Sequence, residues 1–169
     1  MARVLMVIAP RNFRDEEYFV PKGIFEGHSI EVETASKITG DINGFEGGTT
    51  NASHSLSEVE VASFDAVVFV GGQGMVEYID DPEMTKLAQD FSTQGKIVAA
   101  ICVASAILAN AKILSGKNAT SWEGVKDTLI SQGANYSGQA LEVDGNIITA
   151  NGPAAAEIFG EEILKHLGF

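Results

Sequence analysis

Apolar residues in this chain gather in short unbroken blocks. Val4–Ala9 and Ala66–Val70 are apolar throughout, and Val98 opens a third run reaching Ala104, the pattern of strands covered on both faces. After the first block, Pro10–Arg14 forms a polar turn, and Asp15 is the expected N-cap of a helix running to about Glu26. Pro21 should kink that helix and Gly27 close it. Ser29–Ala35 then alternates apolar and polar positions as a second strand, so the chain opens as a βαβ unit.

Ser36–Ser57 is rich in Gly, Asn, Ser and Thr and predicts hairpins, with short strands near Ile38–Ile42 and Gly48–Ala52. The Ala66–Val70 strand runs into Gly71-Gly72-Gln73-Gly74, where adjacent glycines permit a sharp turn or a close backbone approach. The spacing is that of neither common phosphate loop. Asp81-Pro82-Glu83 starts a helix whose buried side is Met84, Leu87, Ala88 and Phe91, and Gly95 ends it. A helix follows Cys102 to about Ala111, then a short strand Asn118–Ser121 and a helix Val125–Gln132 closed by Gly133. Leu141–Thr149 reads as a hairpin with Asp144-Gly145 as its two-residue turn. Gly152-Pro153 opens the last helix, with Ile158, Phe159, Ile163 and Leu164 on its buried side. Buried strands alternating with helices predict an α/β fold with a mostly parallel sheet covered on both faces. Ligands of such sheets bind at the carboxyl ends of the strands.

Three features converge on those ends: the helix start after the first strand, Gly71-Gly72, and Cys102. Cys102 is the only cysteine and stands where a buried strand gives way to small helix-forming residues. A thiol at that bend faces free N–H groups of the helix start, which favour the reactive thiolate, although a free cysteine is commonly just a small buried hydrophobe. The amides of Gly72 and Val103 are the expected oxyanion donors. Asp15, Glu16 and Glu17 suit a helix dipole, and Glu17 is the one placed to turn inward if Phe13 and Tyr18 flank a pocket. Held against a thiol, its carboxyl should stay protonated, because two adjacent anions resist joint ionisation. His28, His54 and His166 fall away from the strand ends and read as surface or packing residues. With the single cysteine they show no metal-ligand spacing, so no metal or cofactor is expected.

Composition narrows the partners. The formal net charge of −12 argues against nucleic acid, whose affinity comes from Lys and Arg on phosphates. A lone cysteine makes no internal disulfide, and the first apolar run is too short for a bilayer and lacks the basic flank of a signal peptide. A cytoplasmic protein without membrane contact is expected. With 169 residues, 45% of them apolar, the chain is expected to form one domain over 1–169.

Several of these stretches together resemble the ThiJ/PfpI superfamily: Ala99-Ala100-Ile101-Cys102, Val70-Gly71-Gly72, Phe13-Arg14-Asp15-Glu16-Glu17, Val143-Asp144-Gly145-Asn146, Trp122–Asp127 and Asn151-Gly152-Pro153-Ala154. Leu114–Ala154 is most similar to the PfpI branch. The resemblance implies a flavodoxin-like three-layer sandwich, a nucleophile elbow at Cys102, Glu17 hydrogen-bonded to it, oxyanion donors at Gly72 and Val103, and a homodimer or higher homo-oligomer. It departs where the chemistry is most sensitive. The peptidase-like members carry histidine after the cysteine, where this chain has Val103, and the other branch brings a histidine to the position of Trp122. Glu77, near an acid used by the peptidase branch, has no histidine to orient. The resemblance therefore implies a stress-protection protein acting on small reactive carbonyls, or a redox-responsive protein whose Cys102 is oxidised to sulfinic acid by a small oxidant. A peptidase or hydrolase ranks below both.

Overall fold

The computed structural model describes residues 1–169. Its first half runs β1 (Arg3–Val7), α1 (Asp15–Gly27), β2 (Glu31–Ser36), β3 (Gly40–Asn43), β4 (Thr49–Ala52), β5 (His54–Ser55), β6 (Ala66–Phe69) and α2 (Pro82–Thr93). The second half runs β7 (Ile97–Ile101), α3 (Ser105–Asn110), β8 (Asn118–Ala119), α4 (Lys126–Ser131), β9 (Asn135–Tyr136), β10 (Leu141–Asp144), β11 (Ile147–Ala150) and α5 (Ala156–His166). Seven strands form the central sheet in the order β10-β11-β7-β6-β1-β2-β5. Every neighbouring pair is parallel except the β10–β11 hairpin.

Strand alternation divides the core into two layers. Leu5, Val7, Val67, Phe69, Val98 and Ala100 pack with Phe91 of α2, Ile107 of α3 and Leu129 of α4. The intervening Val4, Met6, Val68, Ala99 and Ile101 pack with Phe25 of α1 and Phe159 and Ile163 of α5. Each such side chain contributes about 1.5–3 kcal/mol by leaving water. Both faces are covered, which is why β1, β6 and β7 read as continuous apolar blocks. This is the flavodoxin-like sandwich expected from the sequence.

Local differences have local causes. Asp15 is the first residue of α1 rather than its cap; Arg14 holds the N-cap position without a side-chain bond, and the Asp15 carboxylate accepts from the Glu46 and Gly48 amides. Helix α1 runs through Pro21 unbroken, with Pro21 packed against Gly160 of α5. The left-handed residue after α1 is Ser29 rather than Gly27. Strands β3 and β4 pair only with each other, and β8 pairs with β9 away from the central sheet. Asp144 pairs with Ile147, so the hairpin turn is Gly145-Asn146, with Gly145 taking the positive φ its first position requires. Ile158 is 43% exposed, because the buried stripe of α5 follows Ala156, Phe159, Gly160 and Ile163 at helical spacing. Asp81 caps α2 as expected, accepting from the amides of Glu83 and Met84.

Candidate active site

Strand β7 ends at Ile101, and the next residue, Cys102, takes φ +62° before a 3₁₀ turn leads into α3. A left-handed non-glycine residue costs about 1–3 kcal/mol and persists only where its surroundings hold it. Here the Cys102 carbonyl accepts from the amides of Ser105 and, at 3.2 Å, Trp122. The bend leaves the side chain half-buried on a cavity of 370 Å³, lined also by Arg14, Glu17, Gly72, Val103, Trp122 and the apolar Phe45, Val76 and Pro153.

The three acids of the first turn of α1 go three ways. Asp15 ties down the loop after β3, as described. Glu16 pairs with Arg14 at 2.8 Å, and Arg14 also reaches Glu46 at 3.2 Å. That guanidinium holds the Glu16 carboxyl below its usual range. Glu17 alone turns inward, fully buried; the Cys102 sulfhydryl and the Gly71 amide lie beside its carboxyl, but neither carboxyl oxygen makes a hydrogen bond of ordinary geometry, the expected bond to Cys102 included.

Gly71 brings Glu17 and Cys102 together. A Cβ at residue 71 would lie 2.5 Å from Glu17 Oε1, 2.8 Å from Cys102 Cβ and 2.8 Å from the Ile101 oxygen. Only a residue without a side chain lets carboxyl and thiol close around it. Gly72 has φ +116°, and a side chain there would strike the Asn12 oxygen and the Phe13 carbonyl carbon, both at 2.8 Å. The loop is drawn in further by the Arg14 amide, which donates to the Gly71 oxygen at 3.0 Å.

Burial dominates the ionisation of both groups. It raises the Glu17 carboxyl from 4.5 to about 7, against the pull of the Cys102 sulfhydryl, the Arg14 charge and the Gly71 amide. It raises the Cys102 thiol from 9.0 to about 12, with the Glu17 charge adding to it, while the amides of Val103 and Gly72 pull it down. Burial and the Glu17 charge thus act against the thiolate that the helix start was expected to favour. The amides of Val103, in the turn before a six-residue helix, and of Gly72, in the loop after β6, are outweighed by desolvation and a neighbouring carboxylate. Both groups are displaced toward their protonated forms.

Phe13 and Tyr18, expected to flank the pocket, are instead fully buried in the α1 layer, where the Tyr18 hydroxyl meets those of Thr34 and Thr50. No histidine lines the cavity. His28 Nδ1 lies against the Ile24 oxygen, His54 pairs with Glu33, and His166 lies against Glu162. Glu77 pairs with Arg11 on the surface. No group of three or more His, Cys, Asp or Glu side chains could hold a metal ion, and no helix is long and apolar enough to cross a membrane.

Residues 2–166 match the sequence model of the DJ-1/PfpI family. This chain belongs to the DJ-1/PfpI family. An uncharacterized protein of Methanocaldococcus jannaschii is 39% identical to it over 97% of this chain and 82% of its own length. A protein of Pyrococcus abyssi named a deglycase is 30% identical over 96% of this chain and 98% of its own. The crystal structure of a ThiJ/PfpI domain protein from Brachyspira murdochii superposes with a TM-score of 0.96 at 39% identity, covering 98% of this chain and 95% of that one.

In this DJ-1/PfpI chain, several cavity walls escaped the sequence reading. Phe45 and Val76 are 57% and 50% exposed, Phe45 in a loop and Val76 in a short 3₁₀ helix, with no periodicity to assign them. The one available signal was a lone aromatic among glycines, Gly44-Phe45-Glu46-Gly47-Gly48.

Proposed function

We propose that this chain is a cysteine-dependent enzyme acting on small reactive carbonyl compounds, of deglycase or glyoxalase type, protecting the cytoplasm from them. The supporting observation is the Glu17 carboxyl, buried against Cys102 without a well-formed hydrogen bond, on a cavity whose walls are otherwise mainly apolar apart from Arg14 and Gln73. An unpaired buried carboxyl is costly, and a site that retains one near neutral pKa is suited to moving protons. The deglycase name of the Pyrococcus abyssi relative supports the same chemistry.

In this reading, ionised Glu17 takes the thiol proton as Sγ adds to the aldehyde carbon. The carbonyl electron pair moves to oxygen, held by the Gly72 and Val103 amides, and the proton returns there to give a hemithioacetal. With an α-oxoaldehyde, Glu17 then takes the C–H proton beside sulfur, the hydroxyl proton passes to the ketone oxygen through an enediol, and the proton on Glu17 is delivered to the neighbouring carbon. The resulting thioester is hydrolysed by water to an α-hydroxy acid, freeing the thiol. The sum is addition of one water, with no external oxidant. The site works as part of a single 1–169 domain in a homodimer or larger homo-oligomer.

Methylglyoxal consumption tests this. It should vanish in Cys102→Ala and fall at least about 100-fold in Glu17→Gln, the range of a lost general base. A second reading rests on the same pair: Cys102 oxidised by peroxide to sulfinic acid, with protonated Glu17 donating to the product. Single-site gain of two oxygen atoms by mass spectrometry, with no aldehyde turnover, would replace the first reading with the second. A Cys-His hydrolase has no imidazole at the cavity to rest on.

A further inference from the structure

Two cavities meet at Trp122. One is the 370 Å³ pocket of Cys102; the other is an 830 Å³ groove lined by Glu123, Lys126, Tyr136, Ser137 and Asn151 among others. Trp122 is the one residue common to both walls. Its backbone is pinned to the cysteine bend: the amide donates to the Cys102 oxygen at 3.2 Å, and its own oxygen accepts from the Val125 amide at 3.1 Å and the Ser121 hydroxyl at 2.7 Å. The indole, 49% exposed, folds back over Gly124. A Cβ at residue 124 would lie 2.6 Å or less from Cη2, Cζ3 and Cζ2 of the ring. The missing side chain at 124 thus sets where the indole stands.

The two spaces differ in kind. The pocket is small, and Phe45, Val76, Val103 and Pro153 make its walls largely apolar. The groove is larger and offers an acid, a base, hydroxyls and a carboxamide, with Lys126 held 5.7 Å over the Tyr136 ring. Such a groove suits an extended polar chain, and Trp122 is the wall it shares with the pocket of the sulfur.

We propose that Trp122 is a partition: its indole confines the Cys102 pocket to small free electrophiles and bars extended chains that would lie in the groove. As a statement about physiological substrates this rests on the carbonyl reading above. It makes free small aldehydes, rather than adducts carried on a polypeptide, the preferred substrate class.

Alkylation of Cys102 tests the partition without requiring turnover. Chloroacetone and a peptide chloromethyl ketone both form an S–C bond at the expense of C–Cl, releasing chloride and the thiol proton. Their rates on the full chain are compared by intact mass, below each variant's unfolding transition. The ratio of small to extended reagent should fall at least about tenfold in Trp122→Ala, the scale on which apolar pocket walls discriminate. It should fall also in Gly124→Ala, which displaces the ring without removing it, and be kept in Trp122→Phe. An unchanged ratio in Trp122→Ala and Gly124→Ala overturns the proposal. A collapsed ratio in a protein that turns over no methylglyoxal keeps the partition and removes the enzyme reading. Intact turnover with an unchanged ratio does the reverse.

Discussion

Glu17 and Cys102 approach one point from two sides of Gly71: a single carbon added there would lie 2.5 Å from the carboxyl oxygen and 2.8 Å from the carbon bearing the sulfur. Gly71→Ala therefore inserts a methyl group between the carboxyl and the cysteine. The change should cost about 1–3 kcal/mol of stability through overpacking. Aldehyde turnover should fall much further than the loss of folded protein accounts for. Comparing denaturant midpoints with turnover per folded molecule checks both effects.

Glu17 also links stability to pH. Its carboxyl ionises at 4.5 ordinarily and at about 7 when folded, so between these values the folded chain keeps a proton that the unfolded chain has released. The sign follows: stability from this group is complete below about pH 4.5, declines as pH rises, and is lost above about 7. The full span is about 3 kcal/mol. Glu17→Gln should flatten this slope, and the wild-type-minus-variant difference in unfolding free energy across that window measures it.

Reactivity and catalysis should separate in the same variant. With its own thiol raised to about 12 by burial and the Glu17 charge, wild-type Cys102 should react slowly with iodoacetamide at neutral pH. Removing the charge in Glu17→Gln should move the thiol titration to lower pH and raise alkylation about tenfold. Turnover should move the opposite way, because the proton acceptor is gone. If alkylation and turnover fall together, the Glu17 carboxylate assists ionisation of the thiol instead of opposing it.

Asp15 gives a prediction about the pocket rim. Its carboxylate accepts from the Glu46 and Gly48 amides, both at 2.8 Å, and these flank the loop carrying Phe45. Asp15→Ala should release that loop, costing about 1 kcal/mol and raising KM more than it lowers kcat. Hydrogen exchange confined to Gly44–Gly48 would locate the change; a lower kcat with unchanged KM would argue against it.

The strands and their burial were legible in the sequence because covering a strand on both faces writes itself into consecutive apolar residues, as at Val4–Ala9 and Val98–Ile101. So was the cysteine at the end of a buried strand, and so was the cap of α2, where Asp81, Pro82 and Glu83 act on their immediate neighbours. Tertiary structure alone decided that Asp15 would hold a hairpin loop, that Phe13 and Tyr18 would serve the core, and that Phe45, Val76, Trp122 and Pro153 would wall one cavity. It also decided the protonation of the thiol. Capping and strand burial depend on residues close in sequence, whereas ionisation depends on how much water is excluded and which charges are drawn near by segments remote along the chain.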